Sequence, residues 1–468
     1  MQIKLKFLGA AQNVTGSRHL LEANGVKILI DCGLYQERQL KDRNWDPFPM
    51  PPADIDAVLL THAHLDHCGW LPKFVKDGFK GKIHCTQATA EITKIILLDS
   101  AKIQEEDAEH KRKRHEKQGR KGPYPEVPLY TIEDAEACLP LLAHVLYREV
   151  VPLGEGIEAT FYDAGHVLGS AIIRAKVRQN GEERTIIFSG DIGRPDRPIV
   201  CDPTVFDAAD YVLIESTYGD REHHETADIK QLMAEVINST RKAGGNIIVP
   251  SFALERSQEI LYYLNELLRE GKIPRLKVFL DSPMASRITK VFQKHPELFD
   301  EKMTELVRNH ESPFNLPNLK MAGTAKESKA INDARGTIMV IAGSGMCAGG
   351  RVKYHLVNNI ANPANTIMFV GYQAIGTLGR QIVDGAQKVR ILGSEYPIKA
   401  KIVRIHGFSA HADRNELLEW LTNLEVPPLG VFVVHGETES AKSFGDFVRE
   451  ETGWKVTVPD YGDEAVLD

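Results

Sequence analysis

The stretch THAHLDHCG, residues 61–69, places His62, His64, Asp66 and His67 within six positions of a 468-residue chain that has only 17 histidines. Imidazole and carboxylate are donors that zinc accepts, and a catalytic zinc usually takes three protein ligands and a water. Four candidates packed this closely exceed that need. If they lie at the end of a strand, alternate side chains share a face, so His62, His64 and Asp66 point one way and His67 another. That geometry suits two neighbouring metals better than one, and two metals need further ligands from elsewhere in the chain. A solvated polar turn explains such density poorly.

The further ligands stand in matching contexts: His166 in YDAGHVLGS, Asp191 in IIFSGDIG and His435 in FVVHGE. Each follows a strand-like run at a glycine-containing loop, a usual location for a site built at a sheet edge. A lone His or Asp there is ordinarily structural or solvated. The weight comes from joint occurrence with the dense cluster. Ligand chemistry alone admits zinc, manganese or iron.

The elements that must position these residues fall into two styles. Short strands fill the start (IKLKFLGA, RHLLEA, VKILIDCG), and AVLLT feeds the histidine cluster. A helical segment over about Thr86 to Ile103 leads into the basic run HKRKRHEKQGRK, His110 to Lys121, where seven of twelve residues are Lys or Arg. A solvated helix end is the more economical account of that run; a phosphate-contacting flank is the sharper one. From about residue 225 helical and strand patterns alternate, as in α/β units on a parallel sheet. After about residue 395 the first style returns. The expected organisation is α/β, with residues 1–220 and 396–468 forming one domain around an inserted domain at 221–395.

Composition narrows the partners. Net charge is −7, so no global basic field attracts nucleic acid. No apolar run approaches the roughly 20 residues of a membrane span. The start, MQIKLKFLGA, lacks a signal-peptide core. Six cysteines at 32, 68, 85, 138, 201 and 347 form no C-x-x-C pair and read as reduced thiols of a cytoplasmic protein. The sequon at Asn13 reads as noise in that compartment.

The H-x-H-x-D-H stretch, His166, Asp191 and the strand-terminal Asp31 of ILIDCG together resemble the metallo-β-lactamase superfamily. The resemblance implies an αββα sandwich and two zinc ions. His62, His64 and His166 would hold one zinc, Asp66, His67 and His435 the other, and Asp191 would bridge. Asp31 would support the ligand loop. The iron-binding diiron branch carries Glu where His64 stands, which favours zinc. Glu215 in IESTYGD, His411 in GFSAHAD and His435 in VVHGE, with the α/β block between them, resemble the β-CASP nucleases in order and spacing. PSFALERSQE, DSPMA, SGMCAGGR and GYQAIGTLGRQ strengthen the likeness, which covers nearly the whole chain. Histidine at 435 resembles the RNA-processing members, whereas the DNA-repair members carry valine there. The sequence matches neither the KH domains of archaeal processing enzymes nor the C-terminal extension of ribonuclease J, so a compact bacterial type is expected.

The implied reaction is hydrolysis of single-stranded RNA, most simply by an endonuclease, to give 5′-phosphate and 3′-hydroxyl ends. Two divalent ions would activate water and clamp the phosphodiester. His411 is the candidate general acid, since imidazole titrates in the right range. Glu215 would keep its ring protonated and aimed, and Asp66 counts as catalytic as well as a ligand. For holding substrate, the glycine-rich GSGMCAGGR offers Ser344 and Gly345 to a phosphate and Arg351 to pair with it; a tight turn needing glycine is an equal account. Arg380 and Arg256 are weaker and suit salt bridges as well. The family's cleft would admit single strands with little sequence preference. A DNA nuclease, a small-molecule metallo-hydrolase and a catalytically quiet RNA-binding subunit are the alternatives. A homodimer is compatible with a chain of this size, and no membrane partner is expected.

Overall fold

A computed structural model describes residues 2–119, 126–223, 229–309, 311–374 and 376–468. Arg120 and Lys121, the end of the basic run, lie outside the described residues. The chain divides into two compact units, Met1–Glu222 with His411–Asp468, and His223–Ala410.

The first unit holds two seven-stranded sheets. In Ile3–Phe7 the apolar residues alternate, and Ile3, Leu5 and Phe7 are buried while Lys4 is exposed, the pattern of a strand with one face in a core. These residues share one cluster with Ala159, Phe161, Phe188, Leu213 and Phe432 of the other sheet. The sheets therefore pack face to face, with the Phe7 and Phe432 rings 5.3 Å apart. On the outer side of the second sheet, Ile187, Val212 and Ile214 pack with Leu417, Leu421, Phe444 and Val448, from the helices Arg414–Leu421 and Thr438–Thr452. The helix Gln87–Gln118 lies against Lys82–Thr86 and Leu142–Val145 of the first sheet. This is the expected αββα sandwich.

Pairing joins distant parts of the chain. The strand Ile3–Phe7 pairs with Glu464–Leu467 near the other terminus. Tyr211–Glu215 runs parallel to Gly430–Val434, with Glu215 opposite Val434. Residues that lie more than 200 positions apart are thereby delivered to one sheet edge.

The helix Gln87–Gln118 runs through most of the basic segment instead of ending near Ile103. Lys, Arg and Glu are good helix formers, and the segment is anchored. Gln104 accepts from the Leu129 N–H at 3.2 Å, Glu105 accepts from the Ile132 N–H at 3.0 Å, and His115 pairs with Glu126.

The second unit is a six-stranded parallel sheet in the order Leu319–Met321, Lys277–Asp281, Ile338–Ala342, Ile247–Pro250, Thr366–Phe369, Lys401–Arg404. Its inner strands are continuous buried runs, as sheets covered on both faces require. Lys401–Arg404 pairs with Thr366–Phe369, so this unit extends past the boundary expected at 395.

Candidate metal centre

Seven side chains converge from four segments of the first unit, residues 62–67 and the loops carrying His166, Asp191 and His435. The strand Ala57–Leu59 ends before the histidine cluster, and Leu65–Cys68 forms a helical turn. The turn overrides the strand alternation expected from spacing. Asp66 consequently groups with His67, not with His62 and His64. The backbone of residues 32–34 holds the turn: Cys32 N–H donates to the His67 carbonyl at 2.7 Å and Leu34 N–H to that of Leu65 at 2.9 Å. Gly33 is needed there, since a Cβ would stand 1.6 Å from the Asp66 carbonyl oxygen.

Two donor groups result. One contains His62, His64, His166 and Asp191, the other Asp66, His67 and His435, and within each group the donor atoms lie within 4.8 Å of one another. In the first, His62 Nε2 is 2.9 Å from His64 Nδ1, which is 3.3 Å from His166 Nε2. In the second, His67 Nε2 is 3.0 Å from His435 Nε2, and Asp66 Oδ2 is 3.6 Å from the latter. Asp191 faces both. Its Oδ2 is 3.4 Å from His62 Nε2 and 3.5 Å from His166 Nε2, and its Oδ1 is 3.3 Å from His67 Nε2.

Ring nitrogens facing one another at these distances present lone pairs that protons alone satisfy poorly. Asp191 Oδ1 is buried without a hydrogen bond, a costly state for a carboxylate unless a cation meets it. Burial, with help from neighbouring imidazoles, holds His62 well below its ordinary value and His64 at about 4, which keeps both neutral and able to ligate. Burial also works to lower His67, but Asp191 and Asp31 outweigh it and push that ring well above its ordinary value. Carboxylates that favour a proton there favour a metal cation equally. The donor set fits divalent metal.

Supporting groups fix the rings. Asp31, in the left-handed region at φ +59°, accepts from the Thr61 N–H at 2.8 Å and faces His67 Nδ1 at 2.7 Å. This leaves Nε2 of His67 for the metal side. His435, also left-handed at φ +50°, has Nδ1 3.2 Å from the Thr217 hydroxyl. The sequence reading singled out neither Thr61 nor Thr217. Their only signal is position: one directly precedes His62 and the other follows Glu215 by two residues.

His411 reaches the site through backbone pairing with Gly193, and the Ala412 N–H donates to the Ile192 carbonyl at 2.9 Å. Its Nδ1 lies 3.1 and 3.0 Å from the two Glu215 carboxylate oxygens. Glu215 is fully buried and also accepts from the Ile192 N–H at 2.6 Å. Burial works to lower His411, but Glu215, with Asp191 and Asp66, outweighs it and raises the ring to about 9.

The residues expected to hold substrate lie in the second unit. Ser344 Oγ accepts from the Gly349 N–H at 3.3 Å, closing the glycine turn on itself. Gly345 packs under the Phe252 ring. Arg380 is held through Nε by Asp384 at 2.9 and 2.8 Å. Arg351 is engaged within its own unit. Its Nη1 donates to Asp281 Oδ1 at 2.7 Å and to the Ala322 carbonyl at 2.9 Å, and its Nη2 to the Gly323 carbonyl at 3.2 Å. Its pairing is with a protein carboxylate, because buried Asp281 needs a cation nearby. Arg256 likewise pairs with Glu259.

The fold and this cluster define a metallo-hydrolase, and the comparisons with known proteins agree. The metallo-beta-lactamase superfamily profile matches residues 16–225, the Beta-Casp domain 257–382, and the Zn-dependent metallo-hydrolase RNA specificity domain 395–459. The chain is 38% identical to Ribonuclease TTHA0252 of Thermus thermophilus, over 97% of this chain and 98% of that protein. It is 32% identical to the RNase J-like protein of Methanocaldococcus jannaschii, over 94% of each. It is 30% identical to that organism's transcription termination factor FttA, over 96% of this chain and 69% of the relative. A crystal structure of an Enterococcus faecalis protein of unknown function shares the fold, with a TM-score of 0.55 at 11% identity over the full length of both. The chain belongs to the β-CASP family of the metallo-β-lactamase superfamily. Among the described residues no helix is long and apolar enough to cross a membrane.

Proposed function

We propose that this chain is a ribonuclease that hydrolyses single-stranded RNA internally with two zinc ions, leaving 5′-phosphate and 3′-hydroxyl ends. The observation that carries the reading is the His411–Glu215 pair beside two donor groups that Asp191 faces with its two oxygens. A ribonuclease among the relatives, at 38% identity over nearly the full chain, supports RNA as the substrate. His62, His64 and His166 would hold one ion, Asp66, His67 and His435 the other, with Asp191 between. Bound there, the ions would activate water and neutralise charge gathering on the phosphodiester oxygens.

The chain's own groups supply the rest. Asp31 holds the His67 ring from behind, which keeps its Nε2 aimed at the ligand side, and Thr217 contacts the His435 ring at Nδ1, which also faces Asp191 Oδ1 at 3.4 Å. Glu215 accepts from His411 Nδ1–H and keeps the ring protonated at neutral pH. His411 then gives a proton from Nε2 to the departing 3′-oxygen as the bond to phosphorus breaks. The phosphate stays on the 5′ side because the 3′-oxygen departs, and no 2′,3′-cyclic phosphate forms because water, not the ribose 2′-hydroxyl, attacks. Ser344, Gly345 and Arg380 contact the RNA backbone, while Arg351, at the end of the turn that carries Ser344 and Gly345, pairs with Asp281. The protein acts in the cytoplasm.

Incubation with 5′-labelled single-stranded RNA and its DNA counterpart, with and without chelator, tests the reading. RNA should be cut internally, the chelator should stop it, and the products should accept ligation at a 5′-phosphate. A 2′,3′-cyclic phosphate product, or activity indifferent to chelator, overturns it.

A further inference from the structure

We propose that Phe252 and Tyr372 form a stacking site for an unpaired nucleobase, on the edge of the second unit where its parallel strands end. The inference rests on the RNA reading above and adds a contact to the base itself. Three adjacent parallel strands, Ile338–Ala342, Ile247–Pro250 and Thr366–Phe369, finish at this edge. Ligands of open α/β sheets bind outside the carboxyl ends of the strands. The loops that leave here carry Phe252, Gly343–Gly345 and Gly371–Tyr372.

Phe252 follows five buried residues yet is 40% exposed, and Tyr372 is 46% exposed. Scattered exposed apolar residues are normal on a protein surface. These two differ in standing on loops whose backbone is held by side-chain hydrogen bonds. The Phe252 carbonyl accepts from Ser257 Oγ at 2.6 Å and from Ser251 Oγ at 3.1 Å, which fixes the backbone behind the ring. The ring lies against glycine backbone: a Cβ on Gly345 would stand 2.7 Å from it and one on Gly371 3.8 Å. Gln373, 3% exposed, ties the two glycine loops together. Its Nε2 donates to the carbonyls of Gly345, Gly371 and Tyr372 at 3.1, 3.2 and 3.0 Å. The Phe252 ring is thus packed on two glycine loops that Gln373 ties together, and the partly open Tyr372 stands on one of them. Every base has a π face, so such a platform accepts any sequence. Proteins that bind single strands without sequence preference combine stacking with backbone contacts in this way.

The test uses the full chain with its metals and a short single-stranded RNA carrying a cleavage-resistant phosphorothioate backbone. 2-Aminopurine is moved along the RNA one position at a time. Stacking should quench its fluorescence at one or two positions. Phe252→Leu, which keeps apolar bulk but removes the ring, should abolish that quenching and weaken binding roughly tenfold. Tyr372→Leu should act in the same direction, and Phe252→Tyr should restore both readouts. Thermal unfolding of each variant shows that the fold is intact. An unchanged quenching profile with affinity within about twofold in Phe252→Leu overturns the stacking site and leaves the nuclease reading standing. A wild-type protein that binds no RNA overturns both.

Discussion

Each unit of this molecule buries a carboxylate against imidazole, Asp281 beside one histidine and Asp191 among several, and the two clusters end differently. In the second unit Asp281 is fully buried, and both its oxygens are engaged. Oδ1 takes Arg351 at 2.7 Å, and Oδ2 takes His355 at 2.6 Å and Ser328 at 2.5 Å. In the first unit Asp191 is equally enclosed, but its Oδ1 has no hydrogen bond, and imidazole nitrogens converge on it from two sides. A closed network holds a fold together. A cluster of acceptors left facing one another needs something from outside. Residue types alone do not separate the two cases, since both contain Asp and His; partner completion does.

Replacing Asp191 breaks the comparison most severely. Asp191→Ala should release bound metal, read by elemental analysis of the purified protein, and remove RNA cleavage altogether. Asp281→Ala should keep its full metal content. If Asp191→Ala retained full metal, the open cluster would not be a metal site. Next in size is His411→Ala. It should lower the cleavage rate by roughly 10²–10⁴-fold with metal content unchanged, the range for loss of a general acid. Full activity at neutral pH would remove that role. Glu215→Gln should reduce the rate less, because the ring loses its charge partner but stays in place.

The closed cluster should show itself in stability. Asp281→Ala leaves Arg351 and His355 without their carboxylate. A fully buried pair broken this way costs about 3–5 kcal/mol, and the partly exposed Arg351 brings the expectation to about 2–4 kcal/mol. Denaturant unfolding measures it. The same carboxylate sets an acid limit. Burial works to raise Asp281, but the hydrogen bonds from His355, Ser328 and Arg351 outweigh it and lower it below the ordinary value. A carboxyl lowered on folding stabilises the native state above its unfolded value of about 3.9 and loses that contribution as pH falls through the folded value. Stability of the second unit should therefore fall with acidification below about pH 4, and Asp281→Asn should flatten that limb. A parallel acid limb in the variant would mean that Asp281 does not carry this linkage.

What the sequence made legible follows the same division. His62 to His67 announced itself by density, because few folds crowd four donors into six positions. His166, Asp191, Glu215 and His435 are single residues after strands, and residue spacing alone could not join them. The successive pairings of the second sheet, from Ile157–Asp163 through Tyr211–Glu215 to Gly430–Val434, do so physically, and family resemblance stands in for them. The alternation argument put Asp66 on the wrong side because a helical turn begins at Leu65. The pairing of Arg351 with Asp281, 70 residues away, is invisible in the sequence and appears only where the sheet places them together. Phe252 drew no attention because nothing in PSFALER says that its neighbours are buried while its ring is exposed.

The smallest expected effect concerns charges of a third kind, neither closed nor waiting for a ligand. On the helix Gln87–Gln118, Lys113 pairs with Glu109 at 2.5 Å, but both side chains are more than half exposed. Water solvates each partner about as well as the other does, and holding two long side chains in one geometry costs entropy. Lys113→Ala should leave the unfolding temperature unchanged within error, in contrast to Asp281→Ala. Its neighbours Lys111, Arg112, Arg114 and Lys117 crowd like charge onto two turns, so raising the salt concentration should relieve repulsion there and favour this helix slightly. A large loss of stability in Lys113→Ala would show that exposure misjudges which charges matter, and the contrast between Asp191 and Asp281 would then need another basis than burial with completed partners.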